Sequence, residues 1–384
     1  MPSVPQHSVA LRSSNLSHLA IEQQGPASYN DSTIFIEMLA AGVCGTDLAM
    51  LSGNRVCRAA VLGHEGVGIV LHAPRDCGLS KGIRVIINPV HRKNPHIVIG
   101  HSDDGVFRDI FCIDAALAAE GGLLVACPKE CMLADTELVL AEPLASVLYS
   151  LELLRERGGN SLLIRGAGTV GILAAKLWSI SPGSFVVLVS KSEAHAEWLR
   201  ESASWPANVR VCSATNLTST LRECPAGSGS NAAILCCSRE DASAGLCSLL
   251  DVVREGATID LMAGFPAEHK EARLGEVNLD AIRWNNICGE VGAPPTVVTD
   301  CSSGKTVQLI GHRGTSLRHI LEAVDLLRDG IISIADIPHR VLSLVELPGV
   351  VGQMLSSKTR HDTKWVKAII DFSKAHSGAP TGNL

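Results

Sequence analysis

Ser161-Leu162-Leu163-Ile164 leads straight into Gly166-Ala167-Gly168-Thr169-Val170-Gly171, which leads into the apolar stretch Ile172 to Trp178. Strand, glycine motif and helix in that order leave a chain few folds to choose from. Gly166 allows the tight turn, Gly168 lets a phosphate approach the backbone, and Gly171 lets the helix pack close to the strand. The helix N-terminus, with Thr169 and Val170, then offers free N–H groups and a positive dipole end to an anion. A bare GxGxxG is a weak signal, and the alternative is a purely structural turn. The further strand-like run Phe185 to Val189, following in the right place, favours a dinucleotide-binding βαβ unit.

That second strand runs into Ser190-Lys191-Ser192. A site for NAD usually has an acidic residue here to hold the ribose 2′-hydroxyl. A serine and a lysine suit a 2′-phosphate instead, one by hydrogen bonding and the other by charge. NADP(H) is therefore expected in preference to NAD(H). Against this stands the reading in which Lys191 is a solvated loop residue and Glu193 serves the ribose.

The rest of the chain fits an α/β protein of two domains. Its 384 residues exceed one ordinary core, and 46% are hydrophobic. Short β-like runs fill the first part: Thr33 to Leu39, then a tight glycine turn over Ala41 to Asp47, then Gly66 to Leu71 and Ile83 to Ile87. From about residue 140, strands alternate with helix-length patterns (Ser161–Ile164, Phe185–Val189, Val209–Val211, Ala232–Cys236, Thr258–Met262, Thr306–Ile310), as a doubly wound parallel sheet requires. Leu317 to Arg328 reads as an amphipathic helix ending at Gly330, and Val366 to Ile370 as a last strand. The expected division is 1–140, 141–310 and 311–384, the last segment returning to the first domain.

Net charge is −6 with dispersed basic residues, which points away from nucleic acid and anionic membranes. No apolar run reaches the length of a membrane span. Thirteen cysteines, an odd number, with no apolar signal core near the first residue, suggest free thiols in a reducing cytoplasm.

Three segments carry metal-ligand chemistry: Cys44 in Gly42-Val43-Cys44-Gly45-Thr46-Asp47, His64 and Glu65 in Gly63-His64-Glu65-Gly66-Val67-Gly68, and Glu142 in Ala141-Glu142-Pro143-Leu144. Thiolate, imidazole and carboxylate are donors zinc accepts, and a catalytic zinc takes three of them. Taken singly, each has an ordinary reading: a buried small thiol, a surface His-Glu pair, a helix-start carboxylate.

GVCGTD, GHEGVG, EPLA and GAGTVG, in that order, resemble the zinc-dependent medium-chain dehydrogenase/reductase family, which includes alcohol, sorbitol and threonine dehydrogenases. The resemblance runs from about Thr33 to Phe372. It implies a GroES-like, mostly β catalytic domain joined to a Rossmann domain, with the site between them. It implies one catalytic zinc on Cys44, His64 and Glu142, with Glu65 able to approach the metal. Thr46 would relay the substrate's proton, and Asp47 would orient the histidine. Lys367 falls where the family often has a basic residue facing the pyrophosphate.

The four-cysteine structural zinc of many relatives is not expected, because Asn88 to Cys112 holds only Cys112. It holds His91, His96 and His101 instead, spaced for an exposed loop rather than a second metal. The implied activity is hydride transfer between NADP(H) and a small alcohol or ketone. Glu142 and the segment Ile99 to Phe107 resemble polyol, sugar and cyclitol enzymes; a short alcohol is the alternative. A zinc-free quinone or enoyl reductase and a non-catalytic relative are the other readings, and both could do without three ligand-type residues. The family is typically dimeric or tetrameric, and Ile282 to Val291 is the expected interface.

Overall fold

A computed structural model describes residues 8–15, 18–24, 31–157, 159–224, 229–356 and 364–376. The chain is α/β, with a mostly β first part and a Rossmann sheet.

The first sheet is organised around Thr33–Val43, which pairs antiparallel with Glu65–His72, Ile110–Asp114 and Lys367–Asp371. Beyond these lie His339–Leu342 on one side and Arg84–Ile87 and Leu124–Ala126 on the other. Ile34, Ile36 and Met38 alternate into one apolar cluster, as a period of two dictates. The strand outruns its expected end at Leu39. Residues 40–43 are zipped between Glu65–Val67 and Ala368–Asp371, so the expected glycine turn over Ala41 to Asp47 is half strand. Only Cys44 breaks the extension, as the N-cap of the helix Gly45–Leu51.

The second sheet runs Val209–Ser213, Phe185–Ser190, Ser161–Arg165, Ala232–Leu235, Thr258–Leu261, Thr306–Ile310, all parallel, and closes with the antiparallel Thr296–Thr299. Its strands are apolar on both faces because helices cover both. Leu162, Ile164, Val186 and Leu188 enter one cluster, while Leu163, Val187 and Val189 enter another. The strands of this sheet expected from the sequence are present, with ends displaced by at most two residues where hydrogen-bond pairing stops.

The first cluster also takes in Ala40, Val67, Ile86 and Val125 of the other sheet. The helix Ala141–Arg155 packs there against both, so the two sheets share one core and hold a fixed cleft. The helix Leu317–Arg328 packs on Ala141–Arg155, and Arg318 and His319 both reach Glu152. The chain then enters the first sheet again at His339–Leu342. Within the segment Ile282 to Val291, Ile282 and Cys288 are buried, Trp284 and Ile287 are half-buried, and Tyr149 donates a hydrogen bond of 2.6 Å to the Glu290 carbonyl. Among the described residues no helix is long and apolar enough to cross a membrane.

Candidate active site

Cys44 lies where a strand turns into a helix, and His64 and Glu65 lie where another strand begins. Pairing of Gly42 with Glu65 brings the two segments side by side. Their donor atoms, one each from Cys44, His64 and Glu65, all lie within 4.8 Å of one another.

Asp47, fully buried, fixes this geometry. Its Oδ2 accepts the Cys44 N–H at 2.8 Å, its Oδ1 accepts the Gly63 N–H at 3.3 Å, and Oδ1 stands 3.5 Å from His64 Nδ1. The Asp47 carboxylate thus stands on the Nδ1 side of the His64 ring, close to it without a hydrogen bond. Burial pushes the His64 pKa down, but Asp47 and the Cys44 sulfur outweigh it and hold it well above the ordinary range.

Glu142, on the first turn of Ala141–Arg155, lies outside the 4.8 Å group but close enough to feel it. Burial first, and the Glu65 carboxylate second, push its pKa up to about 7. A soft thiolate, an imidazole and two carboxylates crowded in a dry place fit a divalent cation, which would relieve their mutual repulsion. Thr46 follows Cys44 and is half-buried.

Lys367 is not at a pyrophosphate. It is 1% exposed, and its ammonium pairs with the Glu65 carboxylate and donates to the Val43 carbonyl at 3.3 Å. The register of Lys367–Asp371 against Thr33–Val43 directs it there. Gly42 makes the room: a Cβ on it would meet Glu65 Oε2 at 2.3 Å and Lys367 Nζ at 2.8 Å.

The histidine loop is not simply exposed. His91 is buried, its Nδ1 accepting the Lys93 and Asn94 N–H groups, and only His96 faces out. His101 packs edge-on to His64, ring centroids 4.8 Å apart. Gly100 and Gly105 bring it there, since a Cβ on either would lie 2.4 Å or less from the Gly63 carbonyl. Sequence reading placed His101 in an exposed loop, although paired glycines around a histidine were a visible sign of close packing.

In the glycine motif, Gly166 has φ +129°, and a Cβ there would meet the Cys236 backbone at 2.5 Å. A Cβ on Gly171 would lie 1.9 Å from the Gly166 carbonyl, whereas one on Gly168 meets nothing within 4 Å. Gly168, Thr169 and Val170 are half-exposed between buried neighbours, at the start of the helix Thr169–Ser179. Ser190 is fully buried, its hydroxyl 2.8 Å from His195 Nδ1, so it does not face a ribose. Lys191 is exposed and paired with Asp241 at 2.9 Å. The metal-side loop reaches this region as well: Asn54 donates to Glu240, shortly after Cys236, whose thiol lies 3.3 Å from the Gly166 carbonyl.

Residues 30–122 match the family described as alcohol dehydrogenase GroES-like domain. An uncharacterized zinc-type alcohol dehydrogenase-like protein of Haemophilus influenzae is 29% identical over 191 residues, covering 44% of this chain and 53% of that protein. D-xylulose reductase of Saccharomyces cerevisiae is 27% identical over 193 residues, covering 46% and 53%. The chain thus spans about half the length of these two relatives in the matches. Among solved structures, a zinc-binding dehydrogenase of Sinorhizobium meliloti bound to NADP superposes with a TM-score of 0.69 at 19% identity, covering 95% of this chain and 99% of that one.

Proposed function

We propose that the chain is a zinc-type medium-chain dehydrogenase/reductase that moves a hydride between NADP(H) and a CH–OH/C=O pair of a polyol, sugar or cyclitol. The observation that carries the proposal is the grouping of Cys44, His64 and Glu65 within 4.8 Å. Cys44 and His64 would hold one zinc, with Glu142 as the carboxylate ligand. When bound, zinc supplies Lewis acidity toward a substrate oxygen, and the dinucleotide supplies or accepts the hydride.

The chain's own residues do the rest. Asp47 keeps the His64 ring oriented. Lys367 neutralises Glu65 and holds it off the metal. Thr46, two residues beyond Cys44, takes the substrate hydroxyl proton at Oγ1 and passes it toward solvent. Gly168 leaves bare backbone for the pyrophosphate, Thr169 and Val170 present their N–H groups to it, and Lys191 offers charge to a 2′-phosphate. The similarity to a D-xylulose reductase supports a polyol-type substrate over a short alcohol. We read the chain as a homodimer or homotetramer in the cytoplasm, its thirteen cysteines all free.

The test is oxidation of a polyol panel with NADP and with NAD, before and after removal of metal by a chelator. Zinc-restorable activity faster with NADP is expected; activity indifferent to the chelator would contradict the reading.

A further inference from the structure

Beside His101 opens a cleft whose lining includes Arg55, Arg58, His96, Val98 and Arg313. Arg55 points at the metal side, its Nη2 3.5 Å from His101 Nδ1. Arg313 lies over the Trp284 ring at 4.4 Å, and Trp284 packs against His96. Arg283 completes the group from behind. Its Nε is fully shielded from solvent and has no hydrogen-bond partner, and its Nη1 lies 3.3 Å from where a Cβ on Gly264 would stand. Arg239 Nη1 is 3.8 Å from the same point.

Gathering guanidinium groups in a chain of net charge −6 needs a cause. Within the described residues, Arg55, Arg239, Arg283 and Arg313 make no ion pair within 4 Å. Asp260 and Asp280 are the nearest acidic influences. Burial, then repulsion from Arg55 and Arg313, pushes the Arg283 pKa down to about 10, and burial with Arg55 does the same to Arg313. Like charges held unpaired and half-buried cost stability, and such a cost is expected where a ligand supplies the missing charge. The contact with His101, which touches His64, puts the cluster next to the metal donors.

Resting on the oxidoreductase reading above, we propose that the substrate carries an anionic oxygen group, a carboxylate or a phosphate, which Arg55, Arg283 and Arg313 receive while its hydroxyl or carbonyl faces Cys44 and His64. Planar guanidiniums suit both groups, binding them by paired N–H donors. A neutral polyol or cyclitol would leave the three charges unanswered and would be turned over more slowly than its anionic counterpart.

The test uses the full, zinc-loaded chain. Thermal unfolding is followed as inorganic phosphate or malonate is added at constant ionic strength, with NADPH affinity measured alongside. At least one anion should raise the midpoint, phosphate marking a phosphate ester and malonate a carboxylate. The rise should vanish in Arg55→Gln and in Arg313→Gln, while NADPH affinity stays within about threefold. Neither variant should unfold earlier than the parent without anion, since each relieves repulsion. In turnover, xylitol 5-phosphate or xylonate should exceed xylitol in kcat/KM by about 100-fold, and the advantage should collapse in both variants. An anion that competes with NADPH would assign the arginines to the cofactor and overturn the proposal. So would absence of any shift together with equal use of xylitol. A protein that takes up phosphate or malonate as described yet holds no zinc and oxidises no alcohol would instead overturn the oxidoreductase reading.

Discussion

Lys367 is paired with Glu65 inside the first sheet, with neither side chain more than 3% exposed. The pair sits beside Cys44 and His64, so it governs how freely a second carboxylate can approach a metal there. Removing one partner of a buried pair strands the other charge, at about 3–5 kcal/mol. Lys367→Met is expected to lower stability by that order and to tighten zinc, because Glu65 becomes free to ligate. Glu65→Gln with Lys367→Met should recover much of the loss. Thermal unfolding and zinc competition with a chromogenic chelator check both parts.

The glycine motif separates folding from binding. Gly171→Ala puts a Cβ against the Gly166 carbonyl and should destabilise the chain severely. Gly168→Ala meets no neighbour, so stability should stay within about 1 kcal/mol of the parent. NADPH binding should nonetheless weaken by more than about tenfold, because the methyl occupies the pyrophosphate's approach. Fluorescence titration alongside unfolding distinguishes the two variants; unchanged NADPH affinity in Gly168→Ala would move the phosphate site elsewhere.

In the proposed function, Lys191 and its partner Asp241 set the choice of cofactor. Lys191→Ala should weaken NADPH by about three- to tenfold and leave NADH nearly untouched. Asp241→Asn, which frees the lysine and removes a repelling carboxylate, should tighten NADPH by a similar factor, the modest size reflecting an exposed pair. Titration of both variants with both dinucleotides is the measurement.

Away from the cleft, Asp300 is fully buried against Arg273, its carboxylate 2.6 Å from Nη2 and 2.6 Å from the Ser303 hydroxyl. The Arg273 hydrogen bonds, opposed by burial, hold its pKa far below the usual range. A depressed folded-state pKa gives stability that is present above about pH 4, the unfolded value, and drains away as pH falls toward the folded one. Asp300→Asn should therefore cost about 3 kcal/mol at pH 7, with the gap to the parent narrowing below about pH 4. A gap constant down to pH 3 would contradict this.

Much of the fold was legible in the sequence because it rests on local pattern. The motif Gly166 to Gly171, the apolar strands flanking it and the helix Leu317–Arg328 each carry their own signature. What sequence misplaced depends on partners far away in the chain. The strand Thr33–Val43 outran its expected end because Lys367–Asp371, more than three hundred residues on, pairs with its last turn of backbone. The same pairing carried Lys367 to Glu65 instead of a phosphate. Ser190 has the right chemistry for a ribose, but its side chain points inward to His195, a matter of strand parity at the end of Phe185–Ser190. The arginine cluster was invisible because Arg55, Arg283 and Arg313 come from three separate loops.

The zinc site is tested most directly by the metal content of the purified chain, measured by mass spectrometry beside its Cys44→Ser variant. About one zinc per chain, lost in Cys44→Ser without loss of folding, is the predicted result. A parent chain that holds no zinc after growth and purification with ample metal would contradict the assignment of Cys44 and His64 as ligands, and with it the zinc-assisted hydride transfer.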